Sequence, residues 1–312
     1  MTNSETNFVK IIKEICTEEQ IHLTSYSFDW IFQLEKNGRI SYILGYQFGL
    51  NQASVNSICT DKAAASEIMT AHGIPNIEHL LFASPSEQKF VGKTGCWAQL
   101  LALLKEKGTL VIKPNDGTGG DRVFKVRNAY ELETAVHTIF ETSGYLAASP
   151  FYEIENEYRT IMLDGRARLV YVKRRPHLTG DGIRTTAELL LDFLAGRTNL
   201  TAEELMGVGR PDRIPAPGEK ILLGWKHNLG LGARAEILPD GDVKNEIEKI
   251  VARVTRCLGV RFASIDIAET PEGLKVLEIN SGVMMENFAG QDAQSYEIAK
   301  SIYRDAILAM FA

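Results

Sequence analysis

Two acidic residues and an asparagine near the end of the chain have the chemistry of a divalent-cation site. Asp266 lies in the run ASIDIAET, and Glu278 and Asn280 follow in KVLEINS. Carboxylate and amide oxygens are hard ligands that suit Mg²⁺, which commonly takes one or two carboxylates from a protein. Two opposed carboxylates repel each other unless a cation or a proton lies between them. The pattern favours Mg²⁺ binding, and the alternative is a polar sheet face with one carboxylate protonated.

A β-hairpin must bring these residues together. The turn residues Pro271-Glu272-Gly273 predict a three-residue loop with the glycine in the left-handed conformation. This loop places Asp266 opposite Glu278, and the two-residue period of a strand leaves Asn280 on the same face. A four-residue loop would move Asp266 to the far face. The pairs expected from the three-residue loop are Thr270 with Leu274, Ile267 with Leu277, Asp266 with Glu278 and Ile265 with Ile279.

The run LVIKPNDGTGGDRVFKV, residues 110–126, combines a lysine with a glycine-rich turn. A Walker A loop carries its lysine after the glycines and leads into a helix, because the lysine and the next hydroxyl must reach the terminal phosphates and the metal. Here Lys113 precedes the glycines, and the residues after Gly120 alternate as in a strand. The run therefore predicts a glycine flap between two strands.

The segment before this flap predicts a helix. Asp61 is placed to cap a helix over 63–71, Gly73 is placed to end it, and Pro75 prevents it from resuming. Two further helices are expected, one in TGCWAQLLALLKEKG and one in NAYELETAVHTIFETSG with Asn128 as its cap. Strands and helices alternate along this part of the chain, which indicates an α/β fold.

Charged residues gather on one face of a second predicted hairpin. Asp164-Gly165 is a strong signal for a two-residue type I′ turn, because both positions of that turn need a positive φ. Strand periodicity then places Glu157, Arg159 and Arg174 on one face. A solvated charged sheet is the plain interpretation of this face, and a role in ligand binding is the alternative.

Composition sets the broad class of the protein. The chain has 312 residues, of which 45% are hydrophobic and 24% charged, so it is long enough for two or three packed units. Its net charge of −6 argues against nucleic-acid binding, since such proteins usually carry a basic surface. No apolar run reaches the roughly 20 residues that span a bilayer, and the polar start MTNSETNF lacks a signal-peptide core. We expect a cytoplasmic protein with no nucleic-acid and no membrane partner.

Together these motifs resemble the ATP-grasp superfamily of carboxylate–amine ligases. A lysine before a strand–turn–strand glycine flap and a later D…E-x-N hairpin carry the resemblance, which covers about residues 56–290. The runs that match in order are DKAAASEIMTAHGIPN, VIKPNDGTGGDRVFKV, NEYRTIML, KRRPHLTGDGIRTTAELL, IPAPGEKILLGWKHNLGLGA, FASIDI and VLEIN. They are closely similar to the ATP-grasp portions of cyanophycin synthetase and bifunctional glutathione synthetase.

The resemblance implies an α/β architecture built from α+β subdomains, with ATP held between two of them. We expect a small N-terminal domain over 1–57 and a central subdomain with the flap over 58–147. A C-terminal subdomain over 148–312 would then carry the Mg²⁺ and substrate sites.

The resemblance also implies roles for individual side chains. Lys62 and Lys113 would contact the ATP phosphates, and Glu157 would bind the ribose hydroxyls. Arg174 would lie near the γ-phosphate or the developing acyl phosphate. The flap would close over the β- and γ-phosphates through backbone N–H donors, which requires small side chains. Its residues are Asp116, Gly117, Thr118, Gly119 and Gly120. The implied Mg²⁺ ligands are Asp266, Glu278 and Asn280.

Two stretches depart from the family pattern. In LGWKHNLGLGA, Gly224 occupies the position of an expected arginine. Lys226 would replace that arginine as a catalytic cation, although a point charge makes no bidentate contact. His227 is expected to support the loop, and Asn228 best fits the family's catalytic position. After EIN, the run SGVMMENF replaces a proline turn, so that Glu286 either recognises a substrate amino group or belongs to a run that simply packs.

The implied activity is amide bond formation between a carboxylate and an amine, on amino acids or short peptides. Transfer of the γ-phosphoryl group of ATP would give an acyl phosphate, which the amine then attacks without any side-chain nucleophile. A small-molecule kinase that releases a stable phosphorylated product is the alternative enzyme. A nucleotide-binding regulatory protein without turnover is a third function. The family also suggests a homodimer or a homotetramer.

Overall fold

The structure, a computed structural model, describes residues 5–91, 97–195 and 209–312. Its helices are α1 (Asn7–Glu18), α2 (Ala53–Thr60), α3 (Lys62–Ala71), α4 (Gln88–Val91), α5 (Trp97–Lys107), α6 (Ala129–Phe140), α7 (Thr186–Leu194), α8 (Asp242–Leu258), α9 (Glu286–Ala289) and α10 (Ala293–Ala309). The mixture of these helices with β-sheets confirms the predicted α/β class. No helix in the described ranges is long and apolar enough to cross a membrane.

Fifteen strands are described. They are β1 (His22–Tyr26), β2 (Ile31–Lys36), β3 (Arg39–Leu44), β4 (Gln47–Phe48), β5 (Leu80–Ala83), β6 (Leu110–Pro114), β7 (Phe124–Val126), β8 (Tyr145–Pro150), β9 (Glu157–Leu163), β10 (Arg166–Arg174), β11 (His177–Thr179), β12 (Lys220–Leu222), β13 (Arg234–Ile237), β14 (Phe262–Thr270) and β15 (Gly273–Asn280). The chain divides into two compact units, of which the first comprises residues 1–170 and 238–312 and the second comprises residues 171–237. The three-part division expected from the sequence stays a prediction.

Three sheets build the first unit. The N-terminal sheet has the order β1-β2-β3-β4, and the flap-bearing sheet has the order β5-β8-β6-β7. In the third sheet, β9 lies next to β14, and β14 lies next to β15, all antiparallel. The turn between β9 and β10 has a positive φ at both Asp164 and Gly165, as the sequence predicted.

The flap-bearing sheet packs one face against two helices, and its other face carries Lys113. Side chains of Ile112, Leu146 and Phe82 join α5 and α6 in one buried apolar cluster. Strand residues one position away face the opposite side. Lys113 is such a residue, because it pairs with Ala147 on β8, which pairs with Leu81 on β5.

The helix predicted after Asp61 forms as expected. It spans Lys62–Ala71, and the Asp61 side chain accepts a hydrogen bond from the Ala64 N–H at 2.8 Å. Gly73 adopts the left-handed conformation just beyond its end. Asn128 likewise caps α6 by accepting from the Glu131 N–H at 2.9 Å. Local capping chemistry therefore sets where both helices begin.

Glu286 holds the N-terminus of α1. Its two carboxylate oxygens accept hydrogen bonds from the backbone N–H groups of Asn7 and Phe8, at 2.8 and 2.9 Å. Thr6 accepts from the third N–H group of the helix, that of Val9. A carboxylate at this position also opposes the positive end of the helix dipole. The structure therefore gives Glu286 a stabilising role, and its neighbours Met285 and Phe288 are buried.

We expect the variant Glu286→Gln to lose about 1 kcal/mol of unfolding free energy, because one charged acceptor at the helix N-terminus is removed. Urea denaturation would measure this loss. The matched control is Glu246→Gln on the exposed side of α8, which should leave stability unchanged. A rise in the KM of an amine substrate without any loss of stability would instead favour recognition of an amino group by Glu286.

Candidate functional site

The hairpin β14–β15 brings the predicted metal ligands onto one face. Asp266 lies directly opposite Glu278, as predicted, and Ile265 lies opposite Ile279. The side-chain amide of Asn280 donates to Glu278 Oε1 at 3.2 Å. Three hard oxygen donors therefore stand close together, on the strand pair where the sequence placed them.

The loop of this hairpin differs from the prediction. Its turn is one residue tighter, because Thr270 pairs with Gly273, and a β-bulge between Asp266 and Ile267 then absorbs one residue of β15. The predicted pairs Thr270 with Leu274 and Ile267 with Leu277 are wrong. The observed pairs are Glu269 with Leu274 and Ile267 with Val276. The bulge restores the register at Asp266, so the facing carboxylates survive the error in the turn.

Arg159 neutralises the buried carboxylate of Asp266. On the other side of β14, Asp266 pairs with Arg159 of β9. The guanidinium donates twice to that carboxylate, from Nε to Oδ1 at 2.7 Å and from Nη2 to Oδ2 at 2.6 Å. Asp266 is only 1% exposed, so a bidentate cation offsets much of the cost of burying its charge. The sequence placed Arg159 on this face but assigned it no partner.

Lys113 lies buried in the field of the acidic residues. The pKa of Lys113 is lowered to about 8, mainly by burial, while Glu278, Glu157 and Asp266 act to raise it and the charge of Lys62 acts to lower it. Each of these electrostatic effects requires the groups to lie near one another. The structure therefore gathers two predicted lysines and three predicted acidic residues of the first unit into one site.

Lys62 is tied to the root of the flap. Its ammonium donates to the backbone carbonyls of Asn115 and Gly117. The Asn115 side chain in turn accepts from the Ala63 N–H at 3.1 Å, at the start of α3. Burial lowers the pKa of Lys62, although Glu278, Asp116 and Asp61 raise it. Asn115 is a residue that the sequence did not single out, and it joins the helix bearing one lysine to the strand bearing the other.

His79 is a second site residue that the sequence did not reveal. It is 6% exposed, on the chain just before β5. Burial lowers its pKa well below the usual value, and the charges of Lys113 and Lys62 lower it further. The imidazole is therefore neutral at pH 7. No local motif marks this histidine, because its neighbours come from other strands and helices.

The flap forms between β6 and β7, although β7 begins only at Phe124. Gly119 and Gly120 both have positive φ values, of 70° and 76°. Gly117 lies against Pro114, and a Cβ atom there would meet the proline ring at 3.0 Å. These glycines are needed for backbone conformation and close approach, which agrees with a flap that uses its main chain. The side chains of Asp116 and Thr118 are exposed.

If the flap covers the phosphates of ATP, as the resemblance implies, Gly119→Ala should raise the KM for ATP about tenfold, the equivalent of roughly 1.4 kcal/mol, because alanine disfavours the left-handed backbone that the flap needs. Steady-state kinetics would measure this rise. The matched control is Gly108→Ala, since Gly108 has a φ of 74° and equally open surroundings. Both variants should lose about 1 to 2 kcal/mol of stability from the left-handed conformation. An equal rise in KM for both would contradict a specific role for the flap.

Glu157, the predicted ribose-binding residue, lies on β9 opposite Ala268. It is two residues from Arg159, so the two side chains share a face, as predicted. Its side chain is 7% exposed and close enough to Lys113 to raise the pKa of that lysine. Glu157 therefore belongs to the gathered site, and its contact with ribose stays a prediction.

The predicted catalytic residues Arg174, Lys226 and Asn228 belong to the second unit. Arg174 donates to Glu236 at 2.8 Å, and this pair is half exposed. Lys226 lies 5.8 Å from the ring of Trp225. Asn228 caps a short turn by accepting from the Gly230 N–H at 2.8 Å. Their catalytic roles stay predictions.

His227 supports the loop that carries two of these residues. It is buried, and its Nδ1 lies 2.9 Å from the carbonyl oxygen of Lys173. A ring N–H donating to that carbonyl joins the loop to the end of β10. This contact agrees with the supporting role predicted for His227.

The donor set is small for a metal centre. Within the described ranges, no three His, Cys, Asp or Glu side chains are grouped so that they could hold a metal ion. The predicted site has two carboxylates and one amide oxygen, which is a donor set that Mg²⁺ completes with phosphate and water oxygens.

No protein-family model matches the chain. Among curated proteins, it is 28% identical over 172 residues to the glutathione biosynthesis bifunctional protein of Lactiplantibacillus plantarum, covering 54% of this chain and 21% of that protein. It is 24% identical over 251 residues to cyanophycin synthetase of Nostoc, covering 73% of this chain and 26% of that protein. The chain thus spans about a quarter or less of the curated relatives it matches.

Solved structures share the fold. A bifunctional glutathione synthetase from Pasteurella multocida superposes with a TM-score of 0.56 and 16% identity, over 95% of this chain and 43% of that chain. A D-alanine–D-alanine ligase from Bacillus anthracis superposes with a TM-score of 0.53 and 15% identity, over 85% and 71% of the two chains. At these identities the likeness establishes the fold alone.

Proposed function

We propose that this chain, which has the ATP-grasp fold and resembles the carboxylate–amine ligases that share it, is itself an ATP-dependent ligase. The similarity to glutathione and cyanophycin synthetases confirms the resemblance that the sequence motifs predicted. The reaction and the substrates of this chain remain a proposal. The reaction joins a carboxylate to an amine, from amino acids or short peptides. It releases ADP and phosphate by way of an acyl phosphate.

One observation carries the proposal. Asp266 and Glu278 face each other in register with Asn280 beside them, and Lys113 is buried within their electrostatic field. A triphosphate site requires cationic side chains that contact the phosphate oxygens, together with oxygen ligands that hold the Mg²⁺ ion bound to those phosphates. The same donors fit Mg²⁺, so Asp266, Glu278 and Asn280 would hold it. When bound, Mg²⁺ neutralises negative charge on phosphate oxygens.

The first unit would grip the nucleotide. Lys62 and Lys113 would donate to phosphate oxygens, and the backbone N–H groups of the flap would cover the β- and γ-phosphates. Glu157 would accept from the ribose hydroxyls. Arg159 would hold the Asp266 carboxylate in place, because a bidentate pair fixes both oxygens. These residues would position the triphosphate and neutralise its negative charge. Positioning supplies much of the acceleration in phosphoryl transfer.

Arg174 and Lys226 would supply the cations for the carboxylate substrate. The Arg174–Glu236 pair is half exposed, and such pairs contribute about 0 to 1 kcal/mol, so a phosphate or carboxylate can displace Glu236 at little cost. Lys226 would stabilise the transferring phosphoryl group, and Asn228 would hold the loop through its turn. Transfer cleaves the bond between the β–γ bridging oxygen and the γ-phosphorus and forms one from a carboxylate oxygen to phosphorus. The amine nitrogen then attacks the acyl carbon, phosphate leaves, and the nitrogen loses a proton.

The test supplies ATP, Mg²⁺ and amino acids in pairs, with ADP release and mass spectrometry as readouts. We expect ADP release that depends on both the acid and the amine, and a product heavier by their sum less water. An acid labelled with ¹⁸O in its carboxylate should transfer one labelled oxygen to the released phosphate. ADP together with a stable phosphorylated product would establish the kinase alternative instead and overturn ligation.

A further inference from the structure

The N-terminal sheet presents an apolar face to solvent. The register of its strands places Tyr26, Ile31, Tyr42 and Leu44 on one face, with Ile40 at its end. Tyr26, Ile40, Tyr42 and Leu44 are each about half exposed. The opposite face carries Phe32, Leu34 and Ile43, which are fully buried. One face of this sheet therefore completes a core, and the other ends in water without a layer over it in the described ranges.

The turn between β1 and β2 adds two more apolar side chains. Phe28 is fully exposed and Trp30 is 55% exposed. Ser27, Phe28 and Asp29 all have positive φ values, between 52° and 64°. Left-handed backbone costs roughly 1 to 2 kcal/mol at each such residue. The chain thus adopts a costly turn in which Asp29 accepts hydrogen bonds from Ser25 and Lys13, while Phe28 is held in solvent.

Trp30 is held in place beside this turn. Its ring lies so close to Gly45 that a Cβ atom there would meet it at 2.7 Å, and the Gly45 N–H donates to the Trp30 carbonyl at 2.8 Å. An ordered aromatic side chain loses little further entropy on binding. We call the six residues Tyr26, Phe28, Trp30, Ile40, Tyr42 and Leu44 the aromatic patch.

The aromatic patch lacks charge. Along the same face of β1, β2 and β3, the polar positions are His22, Thr24, Gln33 and Glu35, so the sole carboxylate lies at one end. The whole chain carries a net charge of −6, and two copies would repel each other over most of their surface. An uncharged face escapes this repulsion. Interface cores are likewise depleted of charge and enriched in tyrosine, tryptophan and phenylalanine.

We propose that the aromatic patch binds the aromatic patch of a second copy of this chain, about a two-fold axis. An isologous contact sets identical surfaces against each other, which suits a charge-free face. At roughly 200 Å² per side chain, the exposed parts of the patch amount to about 700 Å², close to the about 800 Å² per partner of a stable interface. Monomers seldom expose apolar patches above about 300 to 600 Å². This inference does not depend on the proposed function.

Sedimentation velocity of the full chain from about 1 to about 100 µM, a range that covers ordinary dimer affinities, tests the proposal. We expect the wild type to be a dimer. The variant Phe28→Asp should raise the dimer Kd at least about tenfold, because Phe28 is an exposed anchor. The double variant Tyr42→Lys and Leu44→Lys should be monomeric throughout. Since Phe28 makes no buried contacts, its replacement does not endanger folding, which circular dichroism would check.

The matched control is the double variant Tyr130→Lys and Ile183→Lys, which replaces two exposed apolar residues outside the aromatic patch with lysine. This variant should dimerise like the wild type. A wild type that stays monomeric at the highest concentration would overturn the proposal and leave the patch for another partner. A dimer that persists in both patch variants would also overturn it, because the interface would then lie elsewhere.

Discussion

Replacing Lys113 with methionine should strongly slow ATP-dependent turnover and at the same time make the protein more stable. Lys113 is 5% exposed, and burial lowers its pKa to about 8. The ordinary value is 10.5, and each unit of pKa corresponds to about 1.4 kcal/mol. Keeping this lysine charged near pH 7 therefore costs about 3 kcal/mol, which methionine avoids while filling similar space.

The pH dependence of stability gives the sign of this effect. Below pH 8, Lys113 is protonated in both the folded and the unfolded chain, so the full free-energy cost of burying its charge lowers the stability of the folded chain. Between pH 8 and 10.5 the unfolded chain binds the proton that the folded chain has released, so this residue makes unfolding free energy rise with pH. In Lys113→Met that rise should disappear. Urea denaturation at several pH values would measure it in both proteins.

The activity of Lys113→Met should fall about 100- to 1,000-fold, the scale on which a preorganised donor to a transferring group acts. Lys249→Met is the matched control, because Lys249 is exposed on α8, and it should change neither stability nor turnover. A Lys113→Met protein that still forms amide would remove this lysine from the phosphate site. Loss of stability in Lys113→Met would mean that its charge is compensated in the folded chain.

The facing carboxylates were predictable because two kinds of pattern agree. Apolar alternation placed Ile265 and Ile279 toward the core, which leaves Asp266 and Glu278 together on the other side, as the three-residue turn also predicted. The turn itself was misjudged by one residue, and the bulge beside Asp266 corrected it. Burial of one sheet face selects the register. A bulge absorbs one extra residue, so the apolar side chains can stay in the core although the turn is one residue shorter.

The partners of the site residues were less predictable. Arg159 and Asp266 lie 107 positions apart and meet only because β9 pairs with β14. Asn115 and His79 likewise gain their roles from contacts between distant elements. A single sequence reveals residue type and local period, whereas which strands become neighbours depends on the whole fold. Glu286 shows the same limit, since its partner is the first turn of α1.

Arg159→Met should destabilise the protein by about 3 to 5 kcal/mol, because the buried Asp266 carboxylate loses its bidentate partner. The matched control is the pair Arg261 and Asp164, which is half exposed. Its guanidinium makes the same bidentate contact, from Nε to Oδ1 at 2.7 Å and from Nη2 to Oδ2 at 3.0 Å. Arg261→Met should cost no more than about 1 kcal/mol. Urea denaturation of both variants isolates the effect of burial from that of the contact itself.

A double-mutant cycle separates pairing from simple loss of packing. Asp266→Asn alone should also destabilise, since Arg159 then faces a neutral amide, but the double variant should recover at least about 2 kcal/mol of the summed losses. Mg²⁺ gives an independent readout, because it would bind the same carboxylates. It should raise the melting temperature of Arg159→Met more than that of the wild type, as Asp266 and Glu278 then face each other without the guanidinium. Additive losses in the cycle would show that Arg159 and Asp266 are not energetically coupled. An equal Mg²⁺ shift in both proteins would show that Arg159 has no influence on the metal site.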